Sequence, residues 1–241
     1  MSAAVFDPAL AGMPARLVGD DGRIVAVAVE RWLAPADGED EWLLDRCTGP
    51  TVDLGCGPGR LVAELGCRGV PALGVDCSHN AVLQCHSRGA PVLHRDVFAP
   101  LPGEGRWHHV LLADGNIGIG GDPARLLRRC AALLRPDGTM LVEAEHPRVG
   151  LWRGTARLQV AGVTTGPWFT RPWFTGPWFT GPWFPWAVAG SQALVALAAQ
   201  IGLRVGDRHC GYRCFIELRT SADGKRKSGH HSATGELALG P

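Results

Sequence analysis

The chain has 241 residues, of which 46% are apolar and 20% are charged, and its formal net charge is +1. This length allows one large α/β domain or two small ones with a substantial core. The near-neutral charge leaves no electrostatic footprint for nucleic acid. The longest weakly polar stretch, 187–203, is too short and too polar to span a bilayer. We therefore expect neither a nucleic-acid partner nor a membrane segment.

The first 46 residues form an N-terminal cap segment before the regular pattern begins. Gly19–Gly22 indicates a turn, Ile24–Val29 a short strand, and Asp37–Arg46 a helix. Met1–Leu10 lacks the basic start and long apolar core of a signal peptide. The eight cysteines form no C-x-x-C pair, so we interpret them as reduced thiols. Together these features predict a cytoplasmic protein.

Strand-like and helix-like segments then alternate along the chain. The predicted strands are Thr51–Leu54, Ala72–Asp76, Val92–Asp96, Val110–Asp114 and Thr139–Ala144. The predicted helices are Arg60–Leu65, Asn80–Arg88 and Pro123–Leu134. This alternation is typical of βαβ units and a parallel sheet. A helix at Ser191–Ile201 and two strands, Leu203–Asp207 and Tyr212–Arg219, follow; the short turn between these strands predicts an antiparallel pair.

An internal repeat interrupts this alternation. A five-residue unit close to Gly-Pro-Trp-Phe-Thr occurs four times, beginning at Gly166, Arg171, Gly176 and Gly181. Its period matches neither a strand nor a helix, and its prolines block helix interiors and central strands. We therefore predict an inserted, turn-rich aromatic loop at 151–186. Two interpretations remain open, a tandem duplication tolerated in a loop or an aromatic platform for a planar or apolar molecule. The final copy, 181–186, is the candidate for lining a pocket, and the polar 221–241 segment is predicted to be a disordered tail.

The most informative segment is Thr51-Val52-Asp53-Leu54-Gly55-Cys56-Gly57-Pro58-Gly59. An apolar strand carrying one acid ends in a Gly-x-Gly-x-Gly turn, and a helical pattern follows at once. Glycines allow a ligand to approach the backbone, and the first helical turn offers free N–H groups. A dinucleotide fingerprint would instead read G-x-G-x-x-G, so the spacing favours a different ligand.

Further acids occur where the predicted strands end. Asp76, Asp96 and Asp114 end the second, third and fourth strands, as Asp53 lies in the first. A single such Asp is usually a helix cap or a turn residue. The series together with the glycine turn indicates a binding site, because the carboxyl ends of parallel strands meet at one edge of a sheet.

This combination resembles the class I S-adenosylmethionine-dependent methyltransferases, whose first motif is close to V-D-L-G-C-G-P-G and is matched in full at 52–59. Residues 134–138 are similar to the family's L-x-P-G-G turn, with Asp137 in place of the first Gly. The resemblance extends over roughly 45–220 and implies a methyltransferase domain at 47–220. It implies a Rossmann-like, doubly wound, mostly parallel α/β sheet of seven strands with an antiparallel last strand.

The resemblance also implies roles in binding S-adenosylmethionine. Asp76 would accept from the ribose hydroxyls, Asp96 from the adenine amine, and Asp114 would lie beside the methionine part. Asp53 and Asp114 would favour the positive groups of the cofactor. The implied cofactor-binding residues are Asp53, Gly55, Cys56, Gly57, Gly59, Asp76, Cys77, Asp96, Val97, Asp114, Gly115 and Asn116.

The implied reaction is in-line methyl transfer to an O, N, S or C atom of an acceptor. Glu145 and His146 follow the fifth strand and are the candidate bases. The N-P-P-Y type motif of base-amino methyltransferases is missing at 113–116, which favours a small-molecule acceptor. Cys210 and Cys214 beside His209 are too few ligands for a metal, so no metal is expected. A nucleotide-dependent oxidoreductase and a non-catalytic interaction module remain alternatives, and the oligomeric state stays open.

Overall fold

The computed structural model describes residues 5–161 and 178–220. In chain order, its helices and strands are α1 (Asp7–Leu10), β1 (Ala15–Gly19), β2 (Ile24–Val27), α2 (Val29–Leu33), α3 (Glu41–Leu44), β3 (Thr51–Leu54), α4 (Arg60–Cys67), β4 (Ala72–Asp76), α5 (His79–Ser87), β5 (Val92–His94), β6 (Trp107–Leu112), α6 (Pro123–Leu133), β7 (Leu134–Ala144), β8 (Leu151–Ala161), β9 (Trp178–Ala189), α7 (Ser191–Gln200), β10 (Leu203–Cys210) and β11 (Cys214–Thr220). Two 3₁₀ turns lie at Gly38–Asp40 and Asn116–Gly121. None of the helices within these ranges is long and apolar enough to cross a membrane.

The main sheet has seven strands in the order β10-β11-β7-β6-β3-β4-β5. Strands β3 to β7 pair in parallel. Strand β11 pairs antiparallel with both β7 and β10. This arrangement confirms the predicted Rossmann-like fold with an antiparallel last strand. All four residues of β3 are buried, as expected for a central strand covered on both faces.

A second sheet of four strands, in the order β2-β1-β8-β9, is here called the cover sheet. All its pairs are antiparallel. The prediction of a turn-rich loop at 151–186 is therefore wrong for 151–161 and for 178–186, which are strands. Residues 162–177 and the predicted tail at 221–241 lie outside the described residues. The cap segment contributes β1 and β2 to this sheet, and the domain limits at 46 and 220 stay predictions.

The prolines of the repeat fit a strand because β9 lies at an edge. Among the described strands, β9 has β8 as its single partner, so Pro182 and Pro185 need not donate to a second neighbour there. Proline in a sheet is confined to such edges and to bulges. The prolines of the repeat exclude a central strand, as predicted, but they are compatible with an edge strand.

A bulge reconciles the five-residue repeat with the two-residue pleat. Phe179 and Phe184 are five residues apart in β9, but they pair with Val160 and Ala156, which are four residues apart in β8. The extra residue is absorbed opposite Leu158, where the register shifts. Side chains of a strand alternate between its two faces with a period of two residues, and four is a multiple of two. Equivalent positions of successive units therefore lie on the same face of the sheet.

Strand β7 begins earlier than predicted. The expected turn at 135–138 is an irregular start of the strand, and the register with β6 shifts beside it. Asp137 has φ 64°, in the left-handed region that glycine and, among other residues, Asp and Asn adopt most readily. The backbone therefore keeps the conformation for which the family's motif uses glycine.

The interpretation of all eight cysteines as reduced thiols is wrong for one pair. Cys210 and Cys214 form a disulfide, and the other six cysteines are free. The chain turns back between these two residues, and they pair across the β10–β11 hairpin. In the described part of the chain, no group of three or more His, Cys, Asp or Glu residues is placed to hold a metal ion.

Candidate active site

A cavity of about 700 Å³ opens between the main sheet and the cover sheet. It lies at the carboxyl ends of the parallel strands, where ligands of doubly wound folds bind. Twelve of the predicted site residues line it: Gly55, Cys56, Gly57, Asp76, Cys77, Asp96, Val97, Asp114, Gly115, Asn116, Glu145 and His146. Asp53 and Gly59, which were also predicted, do not line it.

The glycine turn after β3 presents bare backbone to this cavity. Gly57 has φ 52°, and no heavy atom lies within 4 Å of the position that a Cβ would occupy. The amide of Asn116 fixes the turn, because its Nδ2 donates to the carbonyls of Leu54, at 3.0 Å, and Gly55, at 2.7 Å. The loop after β6 thus holds the loop after β3 in place.

Gly59 is needed for the packing of α4 against α5 and does not line the cavity. It has φ 78°, and a Cβ there would lie 2.7 Å from the sulfur of Cys85 on α5. A larger residue would therefore push apart the start of α4 and the side of α5. This explains why the third glycine is needed although it lies outside the cavity lining.

Asp53 lies beneath the glycine turn and is 3% exposed. Its Oδ1 has no hydrogen-bond partner among the described residues. Burial raises the pKa of this carboxyl to about 7, and the negative charge of Asp114 adds to the shift. The site therefore holds a buried acid that changes charge near neutral pH.

Asp76 and Asp96 are fixed at the cavity by backbone donors. Asp76 accepts from the N–H of Gly57 at 2.9 Å and from the N–H of Ser78 at 2.8 Å. Burial raises the pKa of Asp76, although these hydrogen bonds oppose the shift. The Oδ1 of Asp96 accepts from the N–H of Phe98 at 2.8 Å. Since each carboxylate oxygen can accept twice, both side chains retain capacity for a ligand.

Asp114 ends β6 in a strained conformation and is bound by arginines. Its φ is 54°, which costs energy for a non-glycine residue and marks functional sites. Its Oδ1 accepts from Arg31 Nε at 2.8 Å, and its Oδ2 accepts from Arg60 Nη2 at 2.9 Å. Its backbone N–H donates to Glu143 at 2.6 Å. The negative charge of Asp114 is therefore already compensated within the protein.

Arg213 joins this cluster from the β10–β11 turn. It binds both carboxylate oxygens of Glu143, at 2.8 and 2.7 Å, and its Nη1 donates to Asp40 at 2.7 Å. Asp40 also pairs with Arg60. Burial alone would raise the pKa of Asp40, but the hydrogen bonds and charges of the two arginines hold it below its ordinary value. We call Arg31, Asp40, Arg60, Asp114, Glu143 and Arg213 the charge cluster.

Sequence reasoning missed most of the charge cluster. Arg31, Asp40, Arg60 and Arg213 were assigned no role. Asp40 and Arg213 are 173 positions apart, so no local pattern connects them. The cluster forms only because six segments of the chain meet at one edge of the sheet.

Glu145 and His146 follow β7 and line the cavity. The backbone of Glu145 is fixed by hydrogen bonds with the carbonyl of Ala189 and the N–H of Ser191, both at 2.9 Å. Burial raises the pKa of the Glu145 carboxyl, the charge of Glu143 adds to this shift, and Arg31 opposes it. His146 is exposed, and its Nδ1 accepts weakly from the N–H of Arg148 at 3.4 Å. Glu145 is also exposed, but the raised pKa of its carboxyl is the direction that suits a general base.

The cover sheet closes the cavity through close contact with the turn at Asn116–Gly121. A Cβ at Gly121 would lie 3.0 Å from Pro185, and a Cβ at Gly118 would collide with the ring of Trp186. The glycines of this segment form a packed 3₁₀ turn. Pro185 and Trp186 of the final repeat copy line the cavity.

The strand order and the acid-flanked glycine turn opening into this cavity define the class I methyltransferase fold. Residues 51–138 match a family model described as a methyltransferase domain, which together with this fold supports an enzyme of the class I methyltransferase type. A search of curated protein sequences gave no match.

Solved structures share this fold at low sequence identity. A SAM-dependent methyltransferase from Bacteroides fragilis, in complex with S-adenosyl-L-homocysteine, is 20% identical with a TM-score of 0.66, over 91% of this chain and 93% of that one. The sugar N-methyltransferase KedS8 from a Streptoalloteichus species is 18% identical with a TM-score of 0.55, over 76% and 87%. The 1,6-didemethyltoxoflavin-N1-methyltransferase from Burkholderia thailandensis is 15% identical with a TM-score of 0.51, over 91% and 80%.

Proposed function

We propose that the protein uses S-adenosylmethionine to methylate a small-molecule acceptor. The methyltransferase-domain match supports methyl transfer. The Bacteroides fragilis protein of the same fold binds S-adenosyl-L-homocysteine, the product of such a reaction. The Burkholderia protein contains both S-adenosylhomocysteine and 1,6-didemethyltoxoflavin, a small molecule.

The described residues fit this cofactor. Gly57 offers bare backbone to the cavity, which allows close approach of a ligand. We assign Asp76 to the ribose hydroxyls, Asp96 to the adenine amine, and Asp114 to the methionine end. The arginines bound to Asp114 reduce its attraction for a positive group, so its contribution is smaller than the sequence implied.

The protein's own part in the chemistry is positioning, exclusion of water and proton removal. When bound, the cofactor supplies a methyl group on a sulfonium, so that a lone pair of the acceptor forms the new bond to carbon while the carbon–sulfur electrons pass to sulfur. We assign Glu145 as the base that takes the proton from an O–H or N–H acceptor, with His146 as the second candidate.

One observation carries the proposal: the carboxylate of Asp76 is bound to the backbone of the glycine turn and faces the same cavity. Asp76→Asn keeps the size of the side chain but removes acceptor capacity. We expect affinity for S-adenosylhomocysteine, measured by calorimetry, to fall about 10- to 100-fold. Asp207→Ala, at an exposed carboxylate with 73% side-chain exposure, is the control and should leave the affinity unchanged.

Two results would contradict the proposal. One is tight binding of NADPH without binding of S-adenosylmethionine, which would favour the oxidoreductase alternative. The other is failure of the wild-type protein to bind any form of the cofactor, which would favour a non-catalytic interaction module.

A further inference from the structure

The cavity has two walls of different chemistry. The carboxylates that line the cavity belong to the main sheet and to the loops that follow its strands, and Arg31 of α2 binds one of them, Asp114. In the described part of the chain, every residue of β1, β2 and β9 that lines the cavity is apolar. The half of the cavity under the cover sheet therefore offers apolar side chains rather than hydrogen-bonding ones.

The inner face of the cover sheet is built by strict alternation. Leu17 of β1 is 5% exposed and pairs with Val25 of β2. Val25 and Val27 are partly buried and pack on the core, whereas Ile24, the first residue of β2, is 60% exposed. Val25 and Val27 therefore share the inner face of β2, and Ile24 lies on the outer face.

Aromatic rings complete this wall. Phe6 lies 6.0 Å from Trp32 and 5.6 Å from Trp186, between ring centroids, and the Phe6–Trp32 pair is edge-to-face. All three rings line the cavity. Trp186 is held from behind by the 3₁₀ turn, since Gly118 leaves no room for a Cβ beside it. The rings are therefore fixed and present a rigid apolar surface.

The arginines of the charge cluster are not free for an anionic acceptor. Arg31 and Arg60 bind Asp114, and Arg213 binds Glu143 and Asp40. A sugar would leave hydroxyls facing aliphatic and aromatic side chains, and a polar group buried without a partner is costly. A flat apolar molecule would instead bury its faces against this wall.

We propose that the methyl acceptor is an uncharged planar aromatic or heteroaromatic molecule that lies against the cover sheet and carries the reacting hydroxyl or amine. This inference rests on the proposed function, because it assigns only the part of the cavity that S-adenosylmethionine does not occupy. The apolar wall holds the ring system, and the polar edge near Glu145 receives the nucleophile.

Binding of defined probes to the protein saturated with S-adenosylhomocysteine tests this inference. The probes are 1-naphthol and 7-hydroxycoumarin, compared with glucosamine and a dTDP-linked amino sugar, all measured by calorimetry. We expect the two aromatic probes to bind and the two sugars not to bind. Val25→Thr, which places a hydroxyl at the cavity wall, should weaken the aromatic probes about tenfold.

Ile24→Thr is the matched control, since it makes the same kind of change on the outer face of β2 and should leave probe affinity unchanged. Equal thermal midpoints and equal S-adenosylhomocysteine affinities verify that both variants fold. The inference is overturned if the amino sugar binds and the aromatic probes do not, or if the two variants weaken the probes equally. If S-adenosylhomocysteine itself does not bind, the proposed function fails, and this inference fails with it.

Discussion

Replacing Arg213 by methionine tests whether the charge cluster holds the site together. The side chain of Arg213 is 4% exposed and bonds to Glu143 and Asp40, and it lies 3.6 Å from Asp114. The Arg213→Met variant keeps an apolar stem of similar length but removes the guanidinium. The cluster of three arginines and three carboxylates would then carry an unbalanced negative charge in a buried position.

Removal of one partner from a buried ion pair costs about 3–5 kcal/mol. We expect a loss of this size in the free energy of unfolding at pH 7, measured by urea titration with tryptophan fluorescence. Since a domain is stabilised by only about 5–15 kcal/mol in total, the effect is large.

The loss should depend on pH in a defined direction. In the wild type, the pKa of Asp40 lies below its ordinary value, so its stabilising contribution is complete above pH of about 4 and is lost as the pH falls through the folded pKa. Without Arg213, burial raises the pKa of Asp40 with less opposition, so Asp40 takes up a proton more readily. The difference between variant and wild type should therefore shrink as the pH is lowered from 7 towards 4.

Arg68 provides the matched comparison, because it also contacts three carboxylates, those of Glu41, Asp45 and Glu64. These pairs lie at the surface, so Arg68→Met should change stability much less than Arg213→Met. Equal losses in the two variants, or a loss for Arg213→Met that does not vary with pH, would refute the reasoning that burial makes the cluster important.

Asp53 and Glu145 give two further predictions. Because the pKa of Asp53 in the folded protein is about 7, above the value of about 4 in an unfolded chain, this carboxyl destabilises the fold increasingly as the pH rises from about 4 to 7. Asp53→Asn should remove that penalty, so that its stability relative to wild type, from urea unfolding, is higher at pH 8 than at pH 4.5; an equal difference at both pH values would contradict this. Glu145→Gln should lower kcat about 10²- to 10⁴-fold and abolish the acidic limb of the pH–rate profile, with unchanged affinity for S-adenosylhomocysteine. An unaltered profile would exclude Glu145 as the base.

The sequence predicted the parts of the site that depend on local order. The strand at Thr51–Leu54 is apolar and ends in glycines, so its direction and its turn follow from neighbouring residues alone. Asp76 and Asp96 were predicted at the cavity because parallel strands bring their carboxyl ends together. These residues lie where the pattern placed them, although their roles with the cofactor stay proposals.

The sequence could not predict contacts that depend on distant segments. Arg60 was seen only as the first residue of a helix, yet it is 3% exposed and joins Asp40 to Asp114. A single charged residue at a helix start usually faces water, so its burial has no local signal. The cover sheet was missed for a related reason, because β1 and β8 pair across more than a hundred residues of chain.

The bulge in β9 has a consequence for how this gene can change. Tandem units are prone to gain or lose whole copies during replication. Some strands have one bulged residue in each five-residue unit, as β9 has between Phe179 and Phe184. In such a strand, the gain or loss of one copy shifts the pairing with the neighbouring strand by an even number of residues. The residues that point inward continue to point inward. Such a strand can be inherited in different lengths while the wall it presents to the cavity keeps the same composition.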